Sequence, residues 1–289
     1  MSATKKRRLT GLLCMGGALL CGWCSATPAD GRNPWRKFKE PAPGPAEAIG
    51  SYSAGCLRGA VRLPDDFPGY LIMRPYRHRF FAHPDLLQFI ENLASLAQAQ
   101  HLGTLLIGDA GQPRGGPSGS LHASHQTGLD VDIWYWRLPS GKSLTLKKRN
   151  RMNAPLMVTP PFKGLTKRWR RRNMEILKLA AQAPRVDRIF VNPVIKREVC
   201  KAHAGEAWVA KLRPWWGHDE HFHVRLLCPE HSPRCDQGKE DPIPSGDGCG
   251  TELDDWFRSQ SKAKARYRAA HPEPVMIPEL PAACSDLNP

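Results

Sequence analysis

Nine cysteines stand in this 289-residue chain, and three of them, Cys14, Cys21 and Cys24, fall in an apolar run directly behind Lys5, Lys6, Arg7 and Arg8. A basic start, a short apolar stretch over Leu9–Cys24 and the small residues Cys24-Ser25-Ala26 have the layout of a cleavable secretory signal over residues 1–26, not of a membrane span. Leu20 and Trp23, which precede Cys21 and Cys24, are too large for lipoprotein processing. Removal of the leader leaves six cysteines, Cys56, Cys200, Cys228, Cys235, Cys249 and Cys284. An even number in an oxidising compartment predicts three disulfides, with scattered buried thiols as the alternative. The sequence alone does not choose among the pairings.

The rest of the composition narrows the class. A 41% hydrophobic content excludes disorder of the whole chain, and 27 Pro and 25 Gly beside 8% aromatics indicate a loop-rich fold of short elements. A helical bundle or coiled coil is excluded on the same ground. The formal charge of +15 falls to about +11 without the leader. Such an excess often marks nucleic-acid binding through released counterions. Export argues against that partner and towards the cell wall, with its peptide carboxylates, or lipid headgroups. The basic runs 147–151 and 168–172 read equally well as solvated surface.

Along the chain, residues 27–48 are rich in Pro, Gly and polar groups and read as a flexible or surface-draped lead. Leu86, Leu87, Phe89, Ile90, Leu93 and Leu96 give a helical period from His83 to about Gln100, with Asp85 as candidate cap. A second amphipathic helix is predicted from Lys167 to Gln182 and a short one near Asp254–Ser259. Strands are expected at Leu102–Ile107, Asp130–Trp136, Asp187–Val191 and His221–Leu227, and 139–164 reads as a basic, Pro-containing insertion. These elements predict one α+β domain over 49–289, a central antiparallel or mixed sheet with flanking helices and disulfide-tied loops.

Five of the eleven histidines fall in two clusters, Ser120-Leu121-His122-Ala123-Ser124-His125-Gln126-Thr127-Gly128-Leu129-Asp130-Val131-Asp132 and Trp216-Gly217-His218-Asp219-Glu220-His221-Phe222-His223. Each cluster runs into a predicted strand. His221 and His223 leave the same strand face while Phe222 turns to the core, and Asp130 and Asp132 share a face of theirs. His125 lies seven residues before Asp132, across a turn containing Gly128, so its ring can fold back over the carboxylate. Two imidazoles and one carboxylate with an open fourth position make a catalytic-zinc arrangement, since a structural site would close its tetrahedron. No cysteine in these clusters has zinc-finger spacing. Asp130 is a candidate acceptor behind a ligand imidazole.

The pairing of Ser124–Asp132 with Trp216–His223 resembles the penicillin-insensitive murein endopeptidases, zinc peptidases related to lysostaphin, D-Ala-D-Ala dipeptidases and the hedgehog domain. The likeness runs from about Gly55 to Cys284 and rests on His-x6-Asp together with His-x-His. It implies His125, Asp132 and His223 as zinc ligands, with His122 as a weak fourth ligand or a close neighbour. It implies His221 as the catalytic histidine, His218 as a second one, and the bridges Cys56–Cys284, Cys200–Cys249 and Cys228–Cys235. Some relatives bind a further zinc between subunits. Residues 126–202 contain no histidine, so that site is not expected here.

The implied substrate is peptidoglycan, cut in the periplasm at the D-alanyl–meso-diaminopimelate cross-link without a nucleophilic serine. Zinc would supply an activated water and polarise the carbonyl. Substrate carboxylates call for a cation, and Arg114 is the candidate; Trp215 and Trp216 read as cleft walls or core. Alternatives are a D,D-carboxypeptidase or dipeptidase on the same scaffold and a non-catalytic wall-binding module. A secreted nuclease is disfavoured because its Mg²⁺ sites use oxygen ligands. The oligomeric state stays open, a homodimer included.

Overall fold

The strand pair at the centre of the molecule follows from the alternation of its residues. Strands place successive side chains on opposite faces, and Asp130–Trp134 (β7) and His221–Leu226 (β10) pair antiparallel with Val224 opposite Val131 and Phe222 opposite Ile133. Those four apolar side chains are fully buried. The opposite face of the same pair carries His221, His223 and Arg225 across from Trp134, Asp132 and Asp130. One face builds the core and the other the chemistry.

The computed structural model describes residues 33–65, 67–118, 123–160, 162, 164–238, 243, 246–258 and 278–288. Ahead of the central pair lie the strands Glu47–Ser51 (β1), Ala54–Arg58 (β2), Val61–Arg62 (β3), Tyr70–Ile72 (β4) and Phe81–Ala82 (β5), the helix Pro84–Ala99 (α1) and the strand Leu105–Ile107 (β6). Between β7 and β10 come helices Leu146–Arg151 (α2) and Arg171–Gln182 (α3), strand Val186–Val191 (β8), helices Pro193–His203 (α4) and Ala207–Ala210 (α5), and strand Leu212–Pro214 (β9). Helix Thr251–Arg258 (α6) follows β10. The main sheet has the order β4-β6-β7-β10-β8-β9, parallel at its two outer pairs and antiparallel between. This is the mixed-sheet α+β domain that the pattern predicts.

The apolar stripes of α1 (Leu86, Phe89, Ile90, Leu93) and α3 (Ile176, Leu177, Ala180) join Val131, Ile133, Phe222 and Val224 in one core. Each large side chain so buried contributes about 1.5–3 kcal/mol. Helix α1 starts where the sequence places it, but its cap is His83, whose Nδ1 accepts from the Asp85 backbone N–H at 3.2 Å. Asp85 stands instead in the first turn, where it complements the helix dipole. Helix α4 has no counterpart in the sequence reading. Asn192 caps it through the Val194 N–H, and Pro193 occupies its first turn.

Residues 33–48 differ from a flexible lead. They form a 3-10 turn at Pro34–Lys37 and sink Trp35 and Ala42 into a second apolar cluster with Ile49, Cys56, Cys284 and Leu287. The leader assigned to 1–26 lies outside the described residues. Among the described residues no helix is long and apolar enough to cross a membrane. Three disulfides join Cys56 to Cys284, Cys200 to Cys249 and Cys228 to Cys235, the pairs that the resemblance implies.

Cys56 and Cys284 are 228 residues apart, so their bridge removes much freedom from the unfolded chain. The double variant Cys56→Ala/Cys284→Ala is expected to lose about 2–5 kcal/mol in denaturant unfolding. Unchanged stability would show that the packing of Trp35 and Leu287 closes the domain without the bridge.

Candidate metal centre

Two backbone devices bring His125 over β7. Gly128 has φ +72°, and a Cβ there would stand 2.4 Å from Leu57 Cδ2 and 2.9 Å from the His83 nitrogen, so only glycine fits the turn. Asp130 then reaches back along the loop: its Oδ2 accepts from the His125 backbone N–H at 3.2 Å, and its carbonyl oxygen lies 3.2 Å from His125 Nδ1. Gln126 fastens the same loop to the β1–β2 hairpin, donating to the Ser53 carbonyl at 2.7 Å and accepting from the Gly55 N–H at 3.2 Å. His125 itself is held at φ +68°, a left-handed conformation that costs a non-glycine residue about 1–3 kcal/mol and persists only where its surroundings enforce it.

The convergence is tight. Ligand atoms of His125, Asp132 and His223 all lie within 4.8 Å of one another, and all three residues are buried. Asp132 Oδ1 is 3.4 Å from His125 Nε2 and 3.4 Å from His223 Nδ1. The far nitrogen of each ring is engaged by the same residue: His223 Nε2 lies 2.8 Å from Asp130 Oδ1, and His125 Nδ1 faces the Asp130 carbonyl. Acceptors at those positions fix the tautomers and turn His125 Nε2 and His223 Nδ1 inward. Two imidazole nitrogens and one carboxylate oxygen are a donor set that suits a first-row divalent metal. These three residues can hold a metal ion.

Charge supports the same use. Burial pulls the His125 imidazole down, but the carboxylates of Asp132, Asp130 and Asp109 outweigh it and raise its pKa to about 9. A proton thus occupies the negative potential that a cation would fill. His223 moves the other way, lowered chiefly by burial against the pull of Asp130. Burial would raise Asp130, yet Arg225 and His223 hold its carboxyl far below the usual carboxylate range. Arg225 Nε donates to Asp130 Oδ1 at 2.7 Å.

His221 stands beside the three, with Nε2 3.6 Å from Asp132 Oδ1 and Nδ1 3.9 Å from Glu220. Burial lowers its pKa, but Asp132 and Glu220 prevail and raise it. His218, at φ +47°, has its ring 5.2 Å from that of His221. Its corner is pinned by the Gly217 carbonyl accepting from Asn192 Nδ2 at 2.7 Å and by the Asp219 carbonyl accepting from the Met157 N–H at 2.7 Å. Trp215 is 52% exposed and meets Phe190, which also touches the rings of His218 and His223. Trp215 is thus an exposed neighbour of this ring cluster, whereas Trp216 is buried among Phe162, Trp256 and Phe257.

Arg114 is placed elsewhere. Its guanidinium donates to the Leu287 and Glu40 carbonyls and covers the Phe38 ring at 4.0 Å, so it clamps the two ends of the domain. His122 lies outside the described residues. Sequence reasoning also passed over Asp109, whose carboxylate takes Arg77 at 3.0 Å and Arg79 at 2.8 Å and whose carbonyl accepts from the Asp132 N–H. Only its position at the end of β6, one strand over from β7, hints at this. A groove lined by Phe89, Leu93, Leu96 and Leu179 contains none of the clustered histidines.

Against known proteins, a family model described as penicillin-insensitive murein endopeptidase matches residues 48–288. The chain belongs to that family. As a murein endopeptidase it is a metallopeptidase acting on peptidoglycan. A penicillin-insensitive murein endopeptidase of Yersinia enterocolitica is 41% identical over 263 residues, 90% of this chain and 92% of the relative. Those of Salmonella heidelberg and Salmonella typhi are 40% identical over 270 residues, 93% of this chain and 95% of each relative.

A ligand imidazole must be neutral, so a metal ion taken up at these three residues would displace the proton that His125 holds below a pKa of about 9. Apparent metal affinity is expected to rise by up to about tenfold per pH unit between about pH 6.5 and 8.5. Chelator competition across that range reads the slope; a flat profile would contradict a protonated His125.

Proposed function

We propose that the metal is zinc, held by His125, Asp132 and His223, and that the bond cut is the D-alanyl–meso-diaminopimelate cross-link of peptidoglycan. The observation that carries this reading is the meeting of three ligand atoms within 4.8 Å, with both rings oriented from behind by Asp130. Imidazole and carboxylate donors favour zinc among metals available to exported enzymes. Bound there, zinc supplies a Lewis acid and lowers the pKa of water to about 7.

The protein groups around it divide the remaining work. His221, kept basic by Asp132 and Glu220, takes the proton of the attacking water and returns it to the leaving amine. His218, across from His221, donates to the carbonyl oxygen as negative charge grows on it. Asp130 keeps both ligand rings from rotating, and Trp215 lies along the substrate path. The family resemblance adds His122 to this proposal as a weak fourth ligand or a close neighbour of the ligands. No serine is acylated in this scheme, so β-lactams, which react with a catalytic serine, have no target.

Residues 1–26 act as the export signal in this reading and 49–289 as the catalytic domain, which places the enzyme in the periplasm with its substrate. Charge outside the site agrees, since the chain without its leader, at about +11, approaches a wall rich in peptide carboxylates.

Purified cross-linked sacculi test the bond. Muropeptide dimers are expected to fall to monomers, while release of terminal D-alanine alone would make the enzyme a carboxypeptidase. His223→Ala is expected to lose metal and activity together while keeping its far-UV dichroism. His221→Ala is expected to retain the metal and lose about 10²–10⁴ in kcat. Full activity in His221→Ala would remove that residue from proton transfer.

A further inference from the structure

Arg77 lines two neighbouring cavities. One is the small pocket that contains Asp132 and His221; the other is a 330 Å³ groove whose wall also includes Arg36, Lys39, Tyr76 and His78. Among the described residues lining that groove there is no carboxylate. Arg79 belongs to the groove as well and lines the pocket behind it together with Asp109 and His125. The groove therefore adjoins the metal centre, through side chains of opposite charge to those that make the metal centre negative.

Its construction is costly. Tyr76 and Arg77 belong to a short 3-10 turn, Pro75–Arg77, flanked by Arg74 at φ +53° and His78 at φ +52°. Left-handed backbones are strained for non-glycine residues, and here they stand at both ends of a three-residue turn. The strain is held by Asp109 on Arg77 Nη1 at 3.0 Å and by Asn153 on Arg74 Nη2 at 2.9 Å. A guanidinium has five N–H donors, and Asp109 aims Arg77 while engaging one terminal nitrogen. Arg36 and Lys39 reach the groove from the N-terminal segment because Trp35 is locked into the second apolar cluster. Tyr76 stands 63% exposed at the edge.

We propose that this groove is an anion subsite that receives a free carboxylate of the murein stem peptide beside the scissile bond. The proposal rests on the metal-centre reading above and adds to it the group that selects the substrate. Cationic side chains bind a carboxylate through short charge-assisted hydrogen bonds, and the arginine fork matches its two oxygens. The carboxylate would be gripped by Arg77 in the groove while the peptide bond lies against His221 in the adjoining pocket. Arg114 donates instead to the Leu287 and Glu40 carbonyls and is not among the residues that line this groove.

The test pairs a cross-linked muropeptide dimer bearing free diaminopimelate carboxylates with the same dimer carrying carboxamides. Wild type and Arg36→Gln/Lys39→Gln are compared in two ways: equilibrium binding to metal-free protein, and hydrolysis by metal-loaded protein. Arg36 and Lys39 are exposed, so the fold is expected to survive, and the charge-keeping Arg36→Lys/Lys39→Arg variant is the control. Wild type is expected to bind the free acid about tenfold tighter than the amide and to show the preference in KM rather than kcat. The neutralised variant should lose most of that preference, and the control should regain it. Equal binding of acid and amide by wild type, or full discrimination by the neutralised variant, would overturn the subsite. A wild-type protein that prefers the acid in binding yet cleaves neither dimer would overturn the hydrolytic reading and leave the subsite standing.

Discussion

The carboxylate of Asp130 is the contact on which the rest of the centre depends. It is fully buried, and three groups converge on it: Arg225 Nε, His223 Nε2 and the backbone N–H of His125. A lone buried carboxylate would be prohibitively costly, while one charge-paired and multiply hydrogen-bonded is stable. Because its partners come from β10 and from the loop before β7, one residue sets the register of the strands and the aim of both rings. A replacement that keeps the shape but not the charge would leave Arg225 buried beside a neutral group, and breaking such a pair costs about 3–5 kcal/mol.

That arrangement concentrates expense on one sheet face. Asp109, Asp130 and Asp132 stand together below the surface, and His125 and His218 carry left-handed backbones. The apolar face of the same strands and the two helices over it offset this cost, and the disulfides add to the reserve. The second apolar cluster joins early and late segments of the described residues: Trp35, Cys56, Cys284 and Leu287 close the domain far along the sequence from the histidines. Stability is generated where no chemistry occurs, which leaves the strained face rigid enough to hold ligand atoms at fixed separations.

What could be read from the sequence was what a period of two reveals. Asp130 and Asp132 alternate with Val131 and Ile133, and His221 and His223 alternate with Phe222, so face and neighbourhood follow from spacing alone. Tertiary partners leave no such periodic mark. Asp109 sits beside Asp132 only because β6 pairs with β7, and nothing in its surroundings in the chain distinguishes it from a surface aspartate. Arg114 illustrates the converse: its Gly- and Pro-rich loop looks like a binding loop, yet long-range packing directs its guanidinium to Leu287. His83 escaped as a cap because an imidazole there is unusual among side chains that accept from a helix N-terminus. Helix α4 was hidden by its mixed pattern, with Lys196 buried and donating to the Val209 and Asp247 carbonyls where an apolar residue would be expected.

The charge of the molecule is partitioned on two scales, and the two scales suit two different tasks. Over the whole chain the balance is strongly positive, which raises the local concentration of a polyanionic wall through a field that extends about a Debye length of 8–10 Å. Inside the centre the balance is reversed, with three carboxylates around a proton-holding imidazole, and in that enclosed setting the attraction for a cation is screened far less. Were the inner site neutral, the surrounding lysines and arginines would repel a divalent ion from it. Were the outer surface acidic, the wall would be repelled instead. Arg77 and Arg79 stand at the boundary, paired inward with Asp109 and open outward to the basic groove, so the change of sign occurs across a single salt-bridged layer.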